Sequence, residues 1–162
     1  MKWLFLFLSL VLVGVFSNSA YGCSCPPKMV TDQTPAEIKA ERKNFYVNEH
    51  KGSLFIGKVE NIELVPGLGI WEGGTERKLT ILVEKYWLKP PSKTTVVRTG
   101  MNDGDCGIDF KKGTTYLFKP HYFSEALRSG LCDYLGEDDR KPDGESAKEL
   151  IEIFGAPKKI VH

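Results

Sequence analysis

Histidine is scarce: His50, His121 and His162 stand singly in 162 residues, which excludes an HExxH zinc helix and makes a histidine-built metal cluster improbable. There is no C-x-x-C pair, so a thioredoxin-type redox motif is missing as well. No phosphate-binding glycine loop and no Ser-His-Asp order accompany the acidic residues. Asp103, Asp105 and Asp109 are close in sequence, but loop carboxylates are ordinarily solvated, and the chain reads as a non-enzyme. An excess of one charge is lacking too. Lys and Arg total 22 against 21 Asp and Glu, so no net field draws the protein to a nucleic acid or an anionic membrane. Beyond the N-terminus no hydrophobic run reads as a membrane span. What is present is an ordinary globular share of apolar residues, 41%, which excludes general disorder.

Residues 1–22 have the three parts of a secretory signal peptide. Lys2 supplies the positive end. The apolar run from Trp3 to Phe16 suits a signal-peptide core and is short for a bilayer span of roughly 20 residues. Ala20 and Gly22 place small residues before Cys23, as cleavage at that point requires. The expectation is an exported, extracellular protein whose mature chain starts at Cys23. Loss of Lys2 would leave its basic and acidic residues in balance. In a Gram-negative bacterium the same signal would deliver it to the periplasm, or Gly22-Cys23 would end a lipobox and carry a lipid anchor, although Tyr21 and Ala20 are poor residues for one.

All four cysteines, Cys23, Cys25, Cys106 and Cys132, follow that cleavage point. In an oxidising compartment they suggest two disulfides. A bond between Cys23 and Cys25 would close a strained ring, so each pairs with one of the distant cysteines. Both pairings of that kind remain open on geometry.

Thr34-Pro35-Ala36-Glu37 reads as a capping box, with Pro at the first helical position, and predicts a helix over 35–48. Alternating apolar residues predict strands over 54–64 and 79–86. A Gly- and Pro-rich loop carrying Trp71 lies between them. Shorter strands are predicted at 94–99 and 114–119, with a last one within 127–135. The loop 100–107 holds Gly104, Asp105 and Cys106. Ser146-Ala147-Lys148-Glu149 reads as a second capping box, opening a helix that Gly155 and Pro157 end. The charged stretch 137–145 before it reads as a solvated linker. Five short strands with peripheral helices suggest a mainly β fold, a five-stranded OB-type barrel stapled by two disulfides. The expected organisation is a signal peptide at 1–22, the barrel domain at 23–136, and a linker with a C-terminal helix at 137–162.

Cys23-Ser24-Cys25-Pro26-Pro27 is the sharpest local pattern. Pro26 and Pro27 hold the residues before them extended. In an extended segment positions i and i+2 share a face, so Cys23 and Cys25 aim inward and Ser24 outward. The mature terminus becomes a stiff ridge with a free α-amine at its tip. That amine and the carbonyl of the same residue can close a five-membered chelate ring on a metal. A catalytic zinc keeps one position open to water, which such a pair can displace. The amine must be unprotonated, and free α-amines titrate near roughly 7.7–8.0. The plainer alternative is that the bridges only tie down a fraying end.

Taken together, Cys-x-Cys-x-Pro at the mature terminus, Phe55-Ile56-Gly57-Lys58-Val59, and Cys106-Gly107-x-x-Phe110-x-x-Gly113-x-x-Tyr116-Leu117 followed by Cys132 resemble the N-terminal domain of the tissue inhibitors of metalloproteinases. That family belongs to the netrin-like group of OB-folds, and the likeness spans about 23–136. The resemblance implies bridges Cys23–Cys106 and Cys25–Cys132. It also implies a wedge mechanism. The Cys23 amine and carbonyl chelate the zinc of a target protease, Ser24 enters its specificity pocket, and Cys25, Pro26, Gly104 and Asp105 flank the cleft. No cofactor of the protein's own is implied, since the zinc belongs to the partner. The chain departs from the family in having no cysteines for a third bridge and no cysteine-rich second domain. The expected function is a secreted, monomeric metalloprotease inhibitor. The alternative is a netrin-like extracellular interaction module, with Trp71 as its anchor.

Overall fold

The computed structural model describes residues 25, 32–50, 52–68, 73–88, 92–101, 105–123, 126–134 and 136–160. The expected signal segment 1–22, Trp71 and the expected ridge residues Cys23, Ser24 and Pro26 lie outside the described residues. Helix α1 spans Pro35–Asn44 and continues into a single π-helical turn, Phe45–Glu49. Its capping box is formed: Thr34 accepts from the Glu37 N–H, and the Glu37 carboxylate accepts from the Thr34 N–H at 2.8 Å. The predicted helix therefore begins where local chemistry places it, and its last turn widens.

Among the described residues seven strands follow: β1 Leu54–Pro66, β2 Thr75–Leu88, β3 Thr94–Thr99, β4 Thr115–Phe118, β5 His121–Phe123, β6 Ala126–Arg128 and β7 Lys158–Lys159. They form one mixed sheet in the order β4-β1-β2-β3-β6-β5, with β7 on β2. β1 and β2 pair along their whole length, from Leu54 opposite Leu88 to Pro66 opposite Thr75. Three register irregularities interrupt this ladder, and such bulges bend and twist a sheet. β3 and β6 are parallel, through Arg98 and Arg128, and every other pair is antiparallel.

The expected five strands are thus seven, and the sheet is not closed. Pro120 accounts for part of the difference. Lacking an N–H, it separates β4, the strand predicted at 114–119, which pairs β1, from β5, which was not predicted and pairs β6. The two ends of the strand order are therefore successive pieces of chain. An isolated bridge joins Gly52 to His121 at that seam.

The alternation read from the sequence sorts side chains onto two faces. On the inner face Phe55, Val59, Leu79, Ile81, Val83, Val97 and Phe118 pack with Ile108, Phe110 and Tyr134. Phe118 stacks between Phe55 and Phe110, with ring centroids 5.2 and 5.0 Å away. On the outer face Leu54, Ile56, Trp87 and Leu117 meet Ala147 and Leu150 of helix α2, Glu145–Phe154. Trp87 donates its indole N–H to Gly155 O at 2.9 Å, fixing the end of that helix. Arg42 of α1 pairs with Glu149 of α2.

Ser146 is not the N-cap of α2. Gly144 holds that position and offers no side-chain bond. The carboxylate of Asp139 instead accepts the Ser146 N–H at 3.3 Å. Asp139 lies on a 3-10 turn, Asp138–Arg140, and is buried, while its neighbours Glu137, Asp138 and Lys141 are exposed.

Candidate functional site

Two of the cysteines meet at one rim of the sheet. β3 ends at Thr99, whose hydroxyl accepts the Ile108 N–H at 3.0 Å and so draws the returning end of the loop 100–107 against the strand. Within that loop the Asp105 carboxylate accepts the Met101 N–H at 2.7 Å. Gly100 and Asp105 approach so closely that a Cβ on Gly100 would stand 2.5 Å from Asp105 O. Cys106 follows with φ of 61°, a left-handed conformation that non-glycine residues rarely adopt. Its carbonyl accepts the Leu131 N–H at 3.0 Å. That bond sets Cys106 directly beside the 3-10 turn Leu131–Asp133, which carries Cys132.

Cys132 is bonded to Cys25, with Cα atoms 5.2 Å apart. Cys106 is also disulfide-bonded. Its implied partner Cys23 lies outside the described residues, as does Gly104. Asp105 is described, and its carboxylate is occupied inside the loop. Cys132 was expected near a last strand; that strand, β6, closes before it, and the cysteine rides on the turn instead.

The turn is held from below by its own acid. The Asp133 carboxylate accepts the Gly130 N–H at 2.7 Å and faces His121 Nδ1 at 3.6 Å. The carboxylate is the main cause that raises the His121 pKa from its ordinary 6.5, against burial, which lowers it. At 3.6 Å the contact is an ion pair, too long for a good hydrogen bond.

Two hollows flank the bridge. One, about 460 Å³, lies between the π-helical turn and β5, walled by Phe45, Tyr46 and Tyr122 with Lys119 and His121. The other, about 250 Å³, opens between Cys106 and Cys132 and is bordered by Arg98 and Arg128. These arginines converge on Glu76, which has no exposed surface. Arg98 Nη1 reaches Glu76 Oε2 at 3.0 Å, and Arg128 pairs with both carboxylate oxygens. The same guanidinium groups donate to Pro66 O and Leu68 O, pinning the end of β1 and the residues after it. Nothing in the sequence signals this cluster, since its members are separated by 22 and 52 positions and meet only across the sheet.

Among the described residues no group of three or more His, Cys, Asp or Glu could hold a metal ion. No described helix is long and apolar enough to cross a membrane. Compared with known proteins, the chain matches no family model and no curated protein.

Proposed function

We propose that this protein is a secreted inhibitor of zinc metalloproteases, related to the tissue inhibitors of metalloproteinases, on an OB-type barrel. The observation that carries the reading is the pairing of sites at the rim. Cys106 and the Cys132 turn are joined by a backbone hydrogen bond, and Cys132 already holds Cys25. Two neighbouring sulfur anchors suit a Cys-x-Cys segment whose alternate residues share a face. In this reading Cys106 holds Cys23, the terminal amine and carbonyl take the open position on the partner's zinc, and Ser24 fills the adjoining pocket. Pro26, Gly104 and Asp105 line the contact.

The barrel is supported by the strand order. β3 runs parallel to β6, and the two ends of the order, β4 and β5, are separated only by Lys119 and Pro120. A single bent strand serving two neighbours would close the sheet on itself.

The test compares three forms of the full mature protein: Cys23 first with a free amine, one extra alanine before it, and an acetylated amine. Only the first is expected to inhibit members of a zinc-metalloprotease panel, while all three unfold at the same denaturant concentration. Equal inhibition by all forms rules out chelation. No inhibition by the free form, with its first residue and bridges verified by intact mass, leaves an interaction module instead.

A further inference from the structure

The hollow between the π-helical turn and β5 has the composition of a ligand site. At about 460 Å³ it falls in the range of small-molecule pockets, roughly 300–1,000 Å³. Aromatic rings make its wall: Phe45 and Tyr46 meet edge to face at 5.5 Å, and Tyr122 stands opposite on β5. Phe45 and Tyr122 are 45% and 60% exposed, so apolar surface remains there for a ligand to cover.

Its polar end is a lysine. Lys119 leaves β4 beside Pro120 and turns inward, with Nζ donating to Ser146 Oγ at 3.1 Å and lying 4.8 Å from the Tyr134 ring centroid. No carboxylate among the described residues forms an ion pair with it. An ammonium has three N–H donors, and a hydroxyl and a ring face replace its hydration only in part. Burial accordingly lowers its pKa, and the fields of Asp133, Asp139 and Glu149 offset this only partly. A half-buried cation at the foot of an aromatic cleft is complemented by an anion. His121 and Asp133 also border the cleft and face each other at 3.6 Å, so among the described residues the cation there without an ion-pair partner is Lys119.

We propose that this cleft binds a small aromatic carboxylate, with Lys119 taking the carboxylate and Phe45, Tyr46 and Tyr122 enclosing the ring. The site stands on its own side chains and holds whether or not the protein inhibits a protease.

The probe is 3-phenylpropionate, with its neutral isostere 3-phenylpropanamide, titrated into the full mature protein and followed by backbone amide NMR. The acid is expected to shift the signals of residues 45–50 and 119–123 and to bind at least about tenfold more tightly than the amide, the scale of a charge-assisted hydrogen bond. Lys119→Met should remove that preference and leave amide binding unchanged, whereas Lys119→Arg should keep it. Tyr122→Ala, on the exposed rim, should weaken both ligands. Should Lys119→Met fail to fold, the acid-to-amide ratio in the wild type and the Tyr122→Ala result decide alone. Equal binding of acid and amide, shifts scattered over the whole surface, or no shifts at millimolar ligand would overturn the proposal.

Discussion

Glu76 has lost all contact with solvent, and two guanidinium groups share its carboxylate. Removing one member of such a buried set leaves charge without compensation, at a cost of about 3–5 kcal/mol. Glu76→Gln keeps the shape and removes the charge, so it is expected to lose that much in urea unfolding. Asp109 is the contrast. It pairs with Arg77 at 2.6 Å but is 74% exposed, and Asp109→Asn should change stability by less than about 1 kcal/mol in the same assay. His121 supplies a pH dependence. Its pKa is raised in the folded state by Asp133, so the folded state holds the proton more tightly than the unfolded one. The stabilisation is complete below the ordinary value of 6.5 and disappears as pH rises through the higher folded value. Wild type should therefore exceed His121→Asn in melting temperature in mildly acidic buffer, and the gap should narrow in alkaline buffer. An unchanged gap would show that the ion pair contributes nothing.

Helix α2 belongs to the sheet it covers. Leu150 is 1% exposed against Leu54, Ile56 and Leu117, whereas Ile151 is 47% exposed. Leu150→Ala should cost about 2–5 kcal/mol and Ile151→Ala less than about 1 kcal/mol, both read from urea midpoints. The elements also show where sequence patterns suffice. Thr34 and Glu37 cap α1 through bonds three residues apart, which the sequence displays directly. At α2 the same signature misled, because Asp139 reaches the helix start from another turn. β1 and β2 were legible through alternation. β5, β6 and β7 are three, three and two residues long, too short for any period to register. Their pairing is decided by the partner strand and by Pro120. Cys25, Cys106 and Cys132 marked the rim, but Lys119 and His121 carry no pattern, since their setting comes from α2, the π-helical turn and the Cys132 turn packing around them.

For the molecule as a whole, the seam beside Pro120 is the sensitive place. A Cβ on Gly52 would fall 1.8 Å from Pro120 O, so the chain entering β1 passes against the β4–β5 junction with no room for a side chain. Gly52→Ala should push that junction apart at a cost of about 1–3 kcal/mol. Faster amide hydrogen exchange in β5 and β6 than in β2 would accompany it. The Cys25–Cys132 bridge links positions 107 residues apart. In the chain-entropy treatment a loop of that size is worth about 4–5 kcal/mol, so the double variant Cys25→Ser, Cys132→Ser should lose that amount. The same separation governs biogenesis. A chain synthesised N-terminus first presents the Cys25 thiol long before its partner exists, and in that interval any passing oxidant or thiol can capture it. Correct closure then falls to disulfide exchange after release, and the yield of native protein should follow the isomerase capacity of the producing cell.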